Sequence, residues 1–505
     1  MERKVRVRFA PSPTGALHMG GVRTALYNYL FAKKHGGDFI LRIEETDQNR
    51  FVPGAEDYII ESLKWCNIMP EEGQGIGGDC GPYKQSERKD AGMYTEHAFR
   101  LVENGYAYYA FDTAEELNEM REIAKKAKMP NWQYNSITRG SLKNSVSLSE
   151  DEVKARIDAG DPFTIRIKMP RNEDVRFHDE IRGWVTVNTN NLDDKVLYKS
   201  DGMPTYHLAN IVDDYMMDIS HVIRGEEWLP SAPLHVLLYR YLGWEDKMPL
   251  FAHLPLLMKP DGNGKLSKRD GDRLGFPVFP LEWKDPASGE TSSGYKQNGY
   301  FPEAFINMLA LLGWNPGTPQ EIFSLEELVE AFTFERVSKS GAKFDPEKTK
   351  WFNQQYLRAK SNEELGALLS EKVEGDFTPE YMAGVANMMK ERASFIDDML
   401  EGDYFFGKPN YSDEGAKKKW KENTGTILTE LKDKYNSTDN WTSSSLEETF
   451  KAFLAEKELG MGAVLPNFRF TVTGKGMGPS MFEIAELLGK TETIQRMEEG
   501  IAAMA

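Results

Sequence analysis

The sequence predicts an α/β protein: a Rossmann-type parallel sheet, an α+β segment inserted into it, and an all-helical C-terminal region. Three observations predict this. The apolar run at residues 5–10 enters a Pro/Ser/Thr/Gly turn and then an amphipathic helix, a βαβ opening. The stretch 111–187 interrupts that alternation before strand-like runs resume. From about Ser324 onward, capping signals and helical periodicity take over.

Along the chain, residues 5–10 read as a first strand. Val22, Ala25, Leu26, Tyr29 and Leu30 then follow the i, i+3, i+4, i+7, i+8 spacing of a helix, which Gly36 and Gly37 stop. A second strand is expected at 39–43. The interrupting stretch starts helical and charged and holds β-like runs such as 163–167. Strand-like segments return at Leu197 and Tyr198 and again at 217–223, so the first domain is discontinuous in sequence. Further on, Ser324 with Glu327 reads as a capping box before Leu325, Leu328, Val329 and Phe332. Ser445 with Glu448 reads as another, before Phe450, Phe453 and Leu454. Residues 434–445, rich in Asn, Ser and Thr, read as a loop between two helical subdomains.

The 505 residues suffice for several domains, and a 40% hydrophobic content builds ordinary cores. The start, Met1-Glu2-Arg3-Lys4-Val5-Arg6, lacks the apolar stretch of a secretory signal. No apolar run reaches the length of a membrane helix, so a cytoplasmic protein with no membrane partner is expected. Cys66 and Cys80 alone make no disulfide framework and no four-ligand metal site, in keeping with a reducing compartment. Lys plus Arg number 62 against 79 Asp plus Glu, a net charge of −17. That balance argues against a nucleic-acid binder, but screening over about 8–10 Å lets a basic face act locally on an acidic body. Candidate faces are Arg166, Lys168, Arg171, Arg176 and Arg182, and the run Lys417, Lys418, Lys419 and Lys421. Taken singly, each reads as a solvated charged surface.

Two segments carry chemistry. Pro11-Ser12-Pro13-Thr14-Gly15-Ala16-Leu17-His18-Met19-Gly20-Gly21 is a turn at a helix N-terminus, where free amides and the dipole would cradle an anion. Gly15, Gly20 and Gly21 would let it approach, and His18 could donate to a phosphate oxygen. About 250 residues on, Lys259-Pro260-Asp261-Gly262-Asn263-Gly264 leads into Lys265-Leu266-Ser267-Lys268-Arg269, a basic loop able to swing onto a leaving pyrophosphate. Each alone is weak; the pair points to a nucleotide triphosphate.

The pair resembles the HIGH motif (His18-Met19-Gly20-Gly21) and KMSKS motif (Lys265 to Arg269) of class I aminoacyl-tRNA synthetases, most closely bacterial-type glutamyl-tRNA synthetases. The resemblance spans nearly the whole chain, with Arg42-Ile43-Glu44-Glu45-Thr46-Asp47, Tyr206-His207-Leu208-Ala209-Asn210 and Val222-Ile223-Arg224-Gly225-Glu226-Glu227-Trp228 among its segments. A glutamate pocket wants two cations and one anion. Arg8, Glu44 and Arg224, each at a predicted strand end, offer that set.

The resemblance implies His18, Lys265 and Lys268 as catalytic groups. It implies an amino-acid site of Arg8, Ala10, Ser12, Glu44, Tyr206, Asn210 and Arg224. For ATP, taken with Mg2+ as the substrate complex, it implies Thr14, Gly15, His18, Gly20, Gly21, Glu227, Trp228, Leu257, Lys265, Ser267 and Lys268. It further implies a catalytic domain at 1–110 and 190–255, an acceptor-stem-binding insertion at 111–189, a stem-contact region at 256–345 carrying the lysine loop, and a helical anticodon-binding region at 346–505. Partners would be L-glutamate, ATP and tRNA-Glu, and the protein a monomer.

Gly21 stands where the motif's second His would be, and Arg269 replaces its last Ser; both occur among glutamyl members. Residues 106–111 hold Tyr and Ala where some relatives have zinc-binding Cys pairs, so no zinc is expected. The segment 270–300 is longer than the family leads one to expect; Phe276, Pro277, Phe279, Pro280 and Trp283 suit either a brace for the catalytic loop or a separate surface. The alternatives are a glutaminyl-tRNA synthetase, which usually reads P-E-P-N-G at residues 11–15 and has a β-barrel anticodon part, or a non-catalytic tRNA-binding paralogue.

Overall fold

The computed structural model describes residues 3–129 and 132–504, and the chain divides into two compact units, Met1–Pro346 and Glu347–Ala505. In the first, β1 (Arg6–Phe9), β2 (Asp38–Leu41) and β3 (Glu72–Gly73) form a parallel sheet in that order, Arg6 to Phe9 pairing in register with Asp38 to Leu41. The helix α1 (Met19–Lys34) makes the crossover between β1 and β2. It buries Val22, Ala25, Leu26 and Leu30, the stripe read from sequence, while Tyr29 is only half-buried. Arg23, Tyr27 and Asn28 are buried as well, because a second face meets the helix Pro302–Leu311, where Tyr27 Oη donates to the Ala310 carbonyl at 2.9 Å.

Then come β4 (Ala107–Ala110), β5 (Thr164–Ile167), β6 (Asp174–Asp179), β7 (Gly183–Asn188), β8 (Val196–Tyr198), β9 (His221–Gly225) and β10 (Leu250–Leu254). β4, β5 and β8 make an antiparallel sheet. A four-stranded sheet runs β7-β6-β10-β9, parallel except for the β6–β7 hairpin. The expected insertion therefore contributes β6 and β7 to the same sheet as β9 and β10. The alternation in β6 explains this: Val175 and Phe177 point inward and join one apolar cluster with Leu208, Leu237 and Phe251. β9 lies beside β1, tied by the Ser220 N–H to the Arg6 carbonyl at 2.9 Å and by the Arg6 N–H to Ser220 Oγ at 2.8 Å.

The two strand series thus bring β1 and β9 side by side with their C-terminal ends together, the switch point where open α/β sheets bind ligands. Beyond them lie β11 (Leu257–Met258), the two-stranded hairpin β12 (Trp283–Lys284) and β13 (Thr291–Ser292), and β14 (Ala342–Lys343), which pairs parallel with β11. The Ser324–Glu327 capping box forms in both directions, at 2.7 and 3.2 Å.

The second unit is helical, with no strand among its described residues. Two readings need correction here. Ser445 is not a cap: the helix Ser443–Glu456 is capped by Thr442, whose Oγ1 accepts the Ser445 N–H at 3.4 Å. Thr442 is the earlier hydroxyl and takes the extended backbone a cap needs. Nor is the whole of 434–445 a loop: its two ends belong to helices. Lys434 to Asn436 close the helix Thr424–Asn436, and Lys434 pairs with Glu456 of the next helix at 2.8 Å, so the segment is a turn inside one packed unit. No helix among the described residues is long and apolar enough to cross a membrane.

Candidate active site

Two cavities of about 240 Å³ each open at the C-terminal ends of β1 and β9 and share a wall formed by Gly21, Thr24, Gly225 and Glu227. The first is lined by His18, Gly20, Arg23, Leu257 and Lys265; the second by Arg8, Ala10, Ser12, Glu44, Tyr206, Arg224 and Trp228. The two motifs 250 residues apart therefore meet, and the three charged groups expected around an amino acid lie next door.

His18 caps α1 with its side chain: Nδ1 accepts the Gly20 N–H at 3.2 Å. That contact puts the proton on Nε2, which is buried without a partner among the described residues. Burial, reinforced by the Lys265 charge, pushes the imidazole down to about 4, so it is a neutral donor at physiological pH. The first amides of α1 are already engaged within the protein. The Met19 N–H donates to the Val278 carbonyl at 2.8 Å, Gly20 to His18, and Gly21 and Val22 to the His18 carbonyl at 2.8 and 3.2 Å. With those amides engaged, His18 and Lys265 are side chains on the first cavity able to donate to an anion. A Cβ at Gly21 would meet Leu17 Cδ1 at 2.5 Å, and the residue also forms part of the wall of both cavities.

Lys265 pairs with Glu227 at 3.3 Å and stays on the cavity. Lys268 does not line it. It opens the short helix Lys268–Leu274 and reaches Glu290, beside β13, at 3.0 Å. Ser267 is likewise engaged, donating from Oγ to Asp270 at 2.6 Å. Thr14 and Gly15 fall outside both cavities: the Thr14 N–H bonds back to Ser12 at 2.9 Å, and Gly15 supplies the φ of +137° that the turn requires. The segment 276–281 braces the site, through Val278 on Met19, Phe279 edge-on to the His18 ring at 6.2 Å, and the Tyr58 hydroxyl donating to the Leu281 carbonyl at 2.5 Å.

Beneath the second cavity lies an ion network that the sequence did not disclose. Asp214, from the helix Tyr206–Met216, takes Arg8 at 3.0 Å and Arg42 at 2.8 Å; Arg42 continues to Glu44 at 2.7 Å; Asp213 takes Arg88 at 2.6 Å. Burial raises the Asp214 carboxyl, but Arg8 and Arg42 outweigh it and hold the group below the usual carboxylate range. Asn210 does not line the cavity; its Nδ2 donates to Glu44 Oε1 at 3.1 Å and fixes that carboxylate. Thr24 and Gly225 were overlooked. Thr24 stands one turn past Gly20 and Gly21 on the same helix face, a spacing that could have revealed it.

A family profile described as "tRNA synthetases class I (E and Q), catalytic domain" matches residues 4–351, and one described as "Anticodon binding domain" matches residues 354–501. A glutamate--tRNA ligase of Cytophaga hutchinsonii is 55% identical over 100% of this chain and 98% of its own length; one of Flavobacterium psychrophilum is 56% identical over 100% of both. The chain belongs to the glutamate--tRNA ligase family of class I tRNA synthetases. Among solved members of that family, a glutamate tRNA ligase from Elizabethkingia meningosepticum in complex with its amino acid gives a TM-score of 0.95 at 50% identity, covering 99% of this chain and 100% of the other. A glutamate-tRNA synthetase from Elizabethkingia anophelis gives 0.92 at the same identity and coverage.

Proposed function

We propose that this synthetase activates L-glutamate with ATP and transfers it to tRNA-Glu. The observation that carries this reading is the shared wall: a phosphate-handling cavity beside His18 and Lys265 opens directly into one whose charges suit a dianionic amino acid. In the first step a carboxylate oxygen of glutamate attacks the α-phosphorus of Mg-ATP, forming glutamyl-adenylate and expelling pyrophosphate. His18 Nε2–H donates to the phosphate oxygens as charge develops, and Lys265 leaves Glu227 for the departing pyrophosphate. Lys268 joins it by releasing Glu290. In the second step the terminal ribose hydroxyl of the tRNA attacks the mixed anhydride, and AMP departs.

For glutamate, Arg224 and Arg8 take the substrate carboxylates and Glu44 takes the ammonium. Among the described residues, the side-chain hydrogen bonds to Glu44 from Arg42 and Asn210 both fall on Oε1, which leaves Oε2 for that role. Tyr206, Ala10 and Ser12 complete the walls, and Trp228 packs on the Tyr206 ring with centroids 4.2 Å apart. Leu257 with Gly20, Gly21 and Glu227 shapes the nucleotide side. The helical second unit takes the anticodon part, consistent with its profile match and unlike the β-barrel of the glutaminyl alternative. The reading carries with it a cytoplasmic monomer that needs no zinc.

ATP–pyrophosphate exchange, run with each amino acid and with or without tRNA-Glu, tests the reading. Exchange is expected with glutamate alone and only with the tRNA present. Exchange driven by glutamine, or none under any condition, defeats it.

A further inference from the structure

Arg224 differs from its neighbour Arg8 in the company it keeps. Arg8 is bound to Asp214, whereas no carboxylate among the described residues contacts Arg224. Its guanidinium is held by neutral groups: Nε to His253 Nε2 at 3.1 Å, Nη1 to Tyr206 Oη at 2.9 Å, and Nη1 and Nη2 to His235 Nδ1, both at 3.3 Å. All five guanidinium hydrogens are donors, so each imidazole nitrogen facing Arg224 must be a lone pair.

The surroundings supply that arrangement. Asp179, at the end of β6, lies 2.6 Å from His253 Nδ1 and fixes the proton there, which frees Nε2 to accept. Asp179 is in turn anchored by the backbone N–H groups of Ile181 at 3.0 Å and Arg182 at 2.8 Å. On the other side His235 Nε2 faces His207 Nδ1 at 3.3 Å, so a proton on Nε2 leaves Nδ1 open toward Arg224. Asp179, His235 and His253 are fully buried. Burial, with the Arg224 charge adding to it, pushes His253 down to about 4 and His235 well below the ordinary value.

We infer that Asp179 and His253 are positioning residues for amino-acid recognition: they lock the imidazole tautomer that holds Arg224 in place without neutralising it. A carboxylate in direct contact would hold the guanidinium equally well but compete with the substrate for its charge. An imidazole accepts the hydrogen bond and leaves the full charge facing the cavity. The negative charge that stabilises the arrangement sits one ring further back, on Asp179, out of the substrate's reach. The inference rests on the reading that Arg224 holds a glutamate carboxylate.

Charging of tRNA-Glu measured for wild type, Arg224→Gln, His253→Leu, His253→Gln and Asp179→Asn separates the possibilities. His253→Leu removes the acceptor and is expected to raise the KM for glutamate about tenfold while the KM for ATP and kcat stay within about twofold. His253→Gln places an amide oxygen near Nε2 and should recover most of that loss. Asp179→Asn frees the tautomer and should raise the glutamate KM with the ATP KM again unmoved; it carries the test if His253→Leu does not fold, as judged by circular dichroism. Equal defects in the Leu and Gln variants, parallel rises in both KM values, or a normal glutamate KM in Asp179→Asn overturn the inference. If Arg224→Gln itself leaves the glutamate KM unchanged, the underlying assignment of Arg224 fails instead.

Discussion

The Nδ1 of His18 accepts the Gly20 backbone N–H at 3.2 Å, so one imidazole both caps a helix and belongs to the lining of the first cavity. The two tasks separate by substitution. Asn is a good cap but has no atom where Nε2 stands. His18→Asn is expected to keep the melting temperature within a few degrees and to slow adenylate formation by about 10²-fold, the usual cost of removing one donor to developing charge. Loss of stability together with preserved rate would reverse the assignment.

Buried neutral histidines set a pH window. His18, His207, His221 and His253 are each pushed down to about 4, chiefly by burial. In the unfolded chain each returns to about 6.5. Between those values the unfolded state binds more protons, so stability falls as pH falls from about 6.5 toward 4. Asp214, held low by its arginines, contributes in the same direction only further down, as pH drops through its depressed value. Melting temperatures recorded from pH 7 to 5 should therefore decline already above the carboxylate range; a flat profile there contradicts the burial of these rings.

Asp214 joins two otherwise separate arginines. Asp214→Ala leaves Arg8 and Arg42 buried with one counter-charge fewer and is expected to cost about 3–5 kcal/mol in urea unfolding. A cost below about 1 kcal/mol would mean that the pair is solvated in solution.

Glu290 holds Lys268 away from the cavity, but both side chains are partly exposed, and such pairs contribute only about 0–1 kcal/mol. Glu290→Gln should lower the KM for ATP by no more than about fivefold and leave that for glutamate unchanged. A raised KM for ATP would show that Glu290 assists ATP binding.

The β1–α1–β2 opening and the Ser324 cap were legible in sequence because their signals are local: spacing, a turn and a box within a few residues. His18, Lys265, Glu44 and Arg224 were legible through their motifs, and the cavities bring them together. The Arg8–Asp214–Arg42–Glu44 network was not, since Asp213 and Asp214 sit in an ordinary amphipathic helix about 170 residues from Arg42, and only folding shows that they are buried. The direction of Lys268 was hidden for a different reason: its partner Glu290 lies in the hairpin whose role sequence left open. Thr442 was overlooked because Ser445 has Glu448 three residues on and Thr442 has only another hydroxyl there, so backbone geometry alone chooses within the run 442–445.

The bond between the Met19 amide and the Val278 carbonyl fastens the lysine-bearing segment on a short leash. Lys268 lies ten residues upstream of Val278, a tether of at most about 35 Å even when drawn taut, and shorter still because the helix Lys268–Leu274 occupies most of it. A lysine so confined samples a small volume around the phosphate-handling cavity, at an effective concentration of the order of millimolar or more. On the proposed reading, a brief local search by Lys268, released from Glu290, is enough to reach the triphosphate.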